Sequence, residues 1–151
     1  MARVALSGKD TTKINNRILS DLVDGDCTVL TFPNDLVTAK AGKNGNVVYG
    51  FNYPGELAEV SIRILKGSAD DKFLNELLAI MKNDPPSFVL MSGEFVKNIG
   101  DGTGAITTEI YIMSGGVFKK NPEAKENAEG DTEQSISVYN FIFGKAPRTI
   151  G

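Results

Sequence analysis

Few residues in this chain have the chemistry to act on anything. The 151 residues include no histidine, which removes the commonest general base and rules out Ser-His-Asp and Cys-His mechanisms. The single cysteine, Cys27 in "CTVLTF", can form neither an intrachain disulfide nor a thiolate zinc site, and reads as a small, half-buried strand residue. Two carboxylate pairs remain, Asp70 with Asp71 and Glu56 with Glu59, a side-chain type that in pairs can act as acid and base. The first pair sits where a helix should start and the second where a strand faces solvent, so each has a structural explanation. The turn "GDGTG", Gly100 to Gly104, offers Asp101 and Thr103 to a cation or phosphate. It lacks the Lys-Ser/Thr ending of a phosphate loop and the ligand series of a calcium loop, and it lies between strands; it reads as a hairpin turn. "SGG", Ser114 to Gly116, interrupts a long strand pattern and reads as a bulge. The expectation is a protein that is not an enzyme and has no cofactor and no metal.

The elements that carry these residues are mostly strands. "TKINNRIL", "CTVLTF", "DLVTAKA" and "NVVYGFNY" are short, rich in β-branched and aromatic residues and separated by turn formers. In "AEVSIRIL" the apolar Val60, Ile62 and Ile64 alternate with Glu59, Ser61 and Arg63, the period of a strand with one buried face. The period then changes to that of a helix over about Ala69–Lys82, where Phe73, Leu74, Leu77, Leu78 and Met81 form an apolar stripe opposite Lys72, Asn75, Glu76 and Lys82. Ser68 suits the N-cap, Asp70 and Asp71 the positive end of the helix dipole, and Pro85 and Pro86 end the helix. Strands resume with "SFVLMSGEFVKN" and "ITTEIYIMSGGVFKK", which predict a hairpin across Gly100 to Ala105. "SISVYNFIFG" closes the pattern with apolar residues on both faces, which predicts a central strand or one covered by another chain. Between them, Asn121 to Gln134 is polar and reads as a solvated loop.

Bulk properties fit one domain spanning 1–151, since 41% hydrophobic residues suffice for a core. The net charge of −3 arises from interspersed charges, so no basic face for nucleic acid stands out. No secretory leader and no apolar run approaching ~20 residues is visible, which predicts a soluble protein folded in a reducing cytoplasm.

One segment is less easily assigned to ordinary structure. "AGKNGNVVYGFNYPGE", Ala41 to Glu56, reads as an extended hairpin that sets Val47, Val48, Tyr49, Phe51 and Tyr53 among glycines and asparagines. Exposed, such aromatics form an interaction surface; buried, they fill the core of the single chain.

"AEVSIRILKGSADDKFLNELL", Ala58 to Leu78, resembles the tail tube proteins of tailed bacteriophages, especially those with contractile tails, in its alternating strand, Gly-Ser helix start and short amphipathic helix. "GGVFKK" and "VYNFIFG" extend the likeness, and the order of elements follows it over nearly the whole chain. The resemblance implies a mainly β (α+β) fold, a small antiparallel β-barrel or sandwich with one flanking helix. It further implies hexameric rings stacked into a hollow tube that conducts genomic DNA during ejection without reading its sequence. The location it implies is the virion tail, assembled in the host cytoplasm, with sheath, baseplate and tail terminator proteins as partners. Carried onto this chain, the family's long hairpin makes Lys43, Asn44, Asn46, Val48, Tyr49, Phe51 and Tyr53 inter-subunit contacts, and the final apolar strand adds Tyr139, Phe141 and Phe143. Glu59 and Glu109 become candidates for an acidic lining that repels phosphates. The loop Asn121 to Gln134 is longer than a minimal member of the family needs. A monomeric β-barrel ligand-binding module, or the tube of a contractile injection or secretion system, accommodates the same sequence features.

Overall fold

The computed structural model describes residues 3–6, 10–23, 26–52, 56–123, 128 and 135–151. Along the chain run β1 (Ala5–Leu6), β2 (Thr11–Ile14), β3 (Arg17–Ile18), β4 (Thr28–Thr31), β5 (Val37–Ala41), β6 (Val47–Phe51) and β7 (Ala58–Leu65). The helix α1 (Ala69–Asn83) follows, then β8 (Met91–Gly100), β9 (Ile106–Lys120), β10 (Ile136–Lys145) and β11 (Arg148–Ile150). Nine strands form one antiparallel sheet in the order β3-β2-β8-β9-β10-β7-β4, with β1 added to the end of β8 and β11 to the start of β9. The strands β5 and β6 form a separate two-stranded ribbon. The fold is the mainly β architecture with one helix that the periodicity predicts.

Closure is where it departs from expectation. Among the described residues no ladder joins β4 to β2 or β3, so the sheet is open and not a barrel. Its two ends nevertheless curl toward each other, and the hydroxyls of Thr12 on β2 and Thr28 on β4 lie 3.1 Å apart. The edge strands β3 and β4 are two and four residues long.

The concave face holds the core. Val60, Ile62 and Ile64 from β7, Tyr139, Phe141 and Phe143 from β10, and Ile14, Met91, Met113 and Phe118 from neighbouring strands are buried there. The helix closes this face with Leu74 and Leu78 fully buried and Phe73, Leu77 and Met81 packed around them, the stripe its periodicity marks. Side chains of directly paired residues on neighbouring strands explain two glycines. A Cβ on Gly116 would run into the Phe143 ring, and one on Gly93 would meet Met113 at 2.8 Å.

Turn chemistry also corrects the reading of "TKINNRIL" as one strand. Asn15 and Asn16 both adopt positive φ (49° and 65°), so β2 and β3 form a tight hairpin with Ile14 opposite Arg17. Asparagine tolerates the left-handed region that such two-residue turns require. The hairpin across Gly100 to Ala105 and the bulge at Ser114 to Gly116 form as expected: Met91 pairs with Gly116 and Gly93 with Met113, and Gly115 has φ 67°. Of the polar loop, residues 124–127 and 129–134 lie outside the described residues.

Candidate assembly surface

The acidic pair at the helix start orients the whole helix. The Ser68 hydroxyl accepts the Asp71 N–H at 3.2 Å, the N-cap bond the sequence predicts. Asp70 is fully buried and points the other way, accepting N–H bonds from Ser20 (2.7 Å) and Asp21 (2.8 Å) and from Arg17 Nε (3.0 Å). Burial alone would raise its pKa, but the bonds from Asp21 and Ser20, then Arg17, outweigh that and hold the carboxyl below its ordinary value. Arg17 also lies over the Phe73 ring, 5.1 Å from its centroid. Asp71 reaches the opposite strand, where its carboxylate accepts the Tyr139 hydroxyl at 2.6 Å, and its second oxygen accepts the Gly67 N–H of the turn before the helix at 2.8 Å. Burial, followed by that bond and the carboxylate's charge, pushes the Tyr139 phenol far up. The two carboxylates therefore clasp α1 between β3 and β10. Among the described residues no three His, Cys, Asp or Glu side chains converge on a point able to hold a metal ion.

With the helix fixed on the concave face, no element among the described residues forms a covering layer on the convex face of the sheet. Residues opposite one another in an antiparallel ladder share a face, which places Ile106, Thr108, Ile110 and Ile112 of β9 on the convex side with Val96 and Glu94 of β8. Ile106 and Ile112 are exposed. Groups of both signs stand on this face, Lys13, Glu59, Arg63, Glu94 and Lys119 among them, and Glu59 accepts Lys119 Nζ at 2.8 Å. Glu109 belongs to the other face, in line with Tyr111 and the buried Met113, where Arg148 of β11 holds it at 2.7 Å. The Arg148 hydrogen bond keeps its carboxyl below the ordinary range. Glu59 and Glu109 therefore cannot line one lumen together: they sit on opposite sides of the sheet, and both are paired with cations.

The final strand is the central strand that its two apolar faces predict as one alternative, but its aromatic residues do not take the role the resemblance implies. Tyr139, Phe141 and Phe143 are at most 1% exposed; Tyr139 and Phe141 pack against Phe118, and Phe143 against Phe141, inside the single chain, so they are core and not inter-subunit contacts. Their strand is central, between β7 and β9, and the edge-to-tilted ring packing already uses their surfaces.

The ribbon is the opposite case. Its paired arms run from Val37 to Phe51 about a short turn at Lys43–Gly45, so the hairpin is rooted earlier than the segment starting at Ala41. Cross-strand pairs on one face are Val37 with Phe51, Ala39 with Tyr49 and Ala41 with Val47, every one apolar; the other face pairs Thr38 with Gly50 and Lys40 with Val48. All ten strand residues are exposed, Phe51 at 81% and Tyr49 at 63%. Asn44 holds the tip with φ 68° and the Gly42 N–H donates to the Asn46 carbonyl at 2.6 Å. Lys43, Asn44, Asn46, Val48, Tyr49 and Phe51 are thus brought together on one projecting element, while Tyr53 lies outside the described residues. An isolated two-stranded ribbon is marginally stable in water, and one face of this ribbon is apolar and exposed along its whole length.

At the ribbon's root lies a cleft of about 440 Å³, lined by the apolar Phe32, Leu36, Ala146 and Pro147 together with Asn34, Glu56 and Lys145. Nothing in the sequence reading points to it. Its walls come from segments more than a hundred residues apart, flanking β4 and β11. In comparisons with known proteins no family model matches the chain, and no curated protein matches it.

Proposed function

We propose that the chain is a structural subunit of a phage-type tail tube, one that has no catalytic role and assembles with copies of itself. The observation that carries this reading is the ribbon's continuous apolar face, Val37, Ala39, Ala41, Val47, Tyr49 and Phe51, left uncovered by the chain that makes it. Burying each large side chain on another subunit contributes roughly 1.5–3 kcal/mol, enough for several to drive association. The open sheet supplies a second support, since among the described residues β4 pairs with β7 alone and offers an edge that a neighbouring strand can complete.

In this reading six copies form a ring and rings stack into a tube for genomic DNA, as the resemblance of Ala58 to Leu78 implies. Sheath, baseplate and terminator proteins are the further partners of a contractile tail in the virion, built in the host cytoplasm; the tube of an injection or secretion particle has the same fold and symmetry. The mixed charges of the convex face suit a channel that neither grips nor reads DNA. A second reading, a monomeric ligand-binding module, draws on the apolar cleft between Phe32 and Pro147. Negative-stain electron microscopy and sedimentation of the purified protein, alone and co-expressed with neighbouring tail genes, decide between them. Rings or tubes of uniform diameter support the tube subunit. A monomer that persists at high concentration in both preparations refutes it.

A further inference from the structure

We infer that the tip of the ribbon is a site of spontaneous covalent modification, at which Asn44 loses its side-chain amide through a cyclic imide closed by the main-chain nitrogen of Gly45. Asn44–Gly45 is the one place in the chain where asparagine precedes glycine. Glycine leaves that nitrogen without a neighbouring Cβ to obstruct its approach to the Asn44 side chain. Ring closure also needs the Asn44 backbone to rotate away from its ψ of 22°. The surroundings permit this: both residues are exposed, Asn44 stands in the left-handed region at φ 68°, and nothing lies within 4 Å of the position a Gly45 Cβ would take. The turn ends an isolated two-stranded ribbon, which opens locally at little cost.

Three other exposed asparagines differ in these respects. Asn15 shares the left-handed conformation at φ 49°, but its Oδ1 accepts the Ser92 N–H at 3.0 Å and the next residue is Asn16. Asn52 donates from Nδ2 to the Asp35 carbonyl at 2.8 Å and precedes Tyr53. Asn46 precedes the β-branched Val47, which is paired with Ala41. Among the described residues no hydrogen bond holds the Asn44 side chain.

The Gly45 nitrogen, its proton lost to solvent base, bonds to Asn44 Cγ; the Cγ–Nδ2 bond breaks, ammonia leaves and a succinimide ring closes. Water then adds to one of the two ring carbonyls. Opening at Cγ restores the peptide link with aspartate at position 44, whereas opening at the main-chain carbonyl leaves isoaspartate, with the chain routed through Cβ and Cγ. One water is consumed, one ammonia is released, and no oxidant or reductant takes part. Either product puts the first carboxylate into Val37–Phe51, a stretch whose charges are otherwise Lys40 and Lys43. Isoaspartate also adds a main-chain carbon to the turn closed by the 2.6 Å bond from the Gly42 N–H to the Asn46 carbonyl, and loosens it. The chemistry needs no partner and is independent of self-assembly.

Incubating the folded chain in isotopically labelled water at neutral to alkaline pH, followed by peptide mass spectrometry, tests this. Residue 44 is expected to exchange an amide NH for one labelled oxygen, to give aspartate and isoaspartate together, and to react faster as pH rises, since the attacking nitrogen must lose its proton. The rate should lie within roughly tenfold of that in the urea-unfolded chain, as for a turn that opens at little cost. Asn44→Gln, which would have to close a larger ring, should lose the acidic shift seen by isoelectric focusing over the same time, and Asn44→Asp should show that shift from the start. Aspartate without isoaspartate denotes direct hydrolysis and overturns the cyclic route. A folded chain in which Asn44 reacts more than tenfold slower than in the unfolded chain, or an Asn44→Gln chain that acidifies as fast as the unmodified one, overturns the site.

Discussion

Arg17 Nε donates to Asp70 Oδ1 at 3.0 Å across 53 positions of sequence, tying the first turn of α1 to the end of the β2–β3 hairpin. With the Ser20 and Asp21 N–H groups on the other carboxylate oxygen, a fully buried charge is satisfied by three donors. Replacing Asp70 by Ala leaves these donors without an acceptor and is expected to cost about 3–5 kcal/mol, measured as a fall in the urea midpoint at neutral pH.

The same carboxylate sets an acid limb. Its folded pKa lies below the ordinary 3.8, so its contribution is fully present above that value and is lost as pH falls through the lower folded value. Stability of the unmodified chain should therefore decline as pH drops below about 4, and the decline should be shallower in Asp70→Asn. Equal slopes for the two proteins would remove Asp70 from the explanation.

Tyr139 acts at the alkaline end. Its phenol donates to Asp71 and its folded pKa is raised above the ordinary 10.0, so the stabilisation is complete below that value and fades as pH rises above it. Tyr139→Phe is expected to cost about 1–2 kcal/mol at neutral pH and to flatten the loss of stability above about pH 10. Thermal denaturation across that range reads both effects.

The Gly116–Phe143 contact is a packing test of the corrected core. Gly116→Ala drives a Cβ into the ring and should cost about 1–3 kcal/mol, and Phe143→Ala about 3–5 kcal/mol. Phe143→Leu should relieve part of the Gly116→Ala penalty, giving a non-zero coupling in a double-mutant cycle.

The ribbon predicts the reverse behaviour. Tyr49→Ser with Phe51→Ser should leave the unfolding free energy of the monomer within about 0.5 kcal/mol, because both side chains are exposed, while abolishing assembly. A large loss of monomer stability would instead show that these rings pack on their own chain.

Local signals made much of this architecture legible. The period-two alternation around Val60, Ile62 and Ile64 and the helical stripe from Phe73 to Met81 report burial on one face, and the structure buries those faces. Ser68 and the Pro85–Pro86 pair bound the helix because capping and the missing proline N–H act within one turn. The Asn15–Asn16 turn was readable in principle, since consecutive asparagines tolerate positive φ, but the flanking β-branched residues mask it. Aromatic residues carried less information. Phe51 and Phe143 each stand next to a glycine in an aromatic-rich strand pattern, yet one is exposed and the other is sealed.

What the sequence determines by itself is each element's type and which of its faces is apolar, because period, caps and turn residues operate over a few positions. Tertiary structure decides which apolar face is covered. It put β10 between β7 and β9 and buried Tyr139, Phe141 and Phe143, while β5 and β6 paired only with each other and left Tyr49 and Phe51 outside. It also set Glu59 and Glu109 on opposite sides of one sheet and built a cleft from Phe32, Leu36, Ala146 and Pro147. These are relations between strands distant in the chain, and register and sheet order, which no local pattern encodes, fix them.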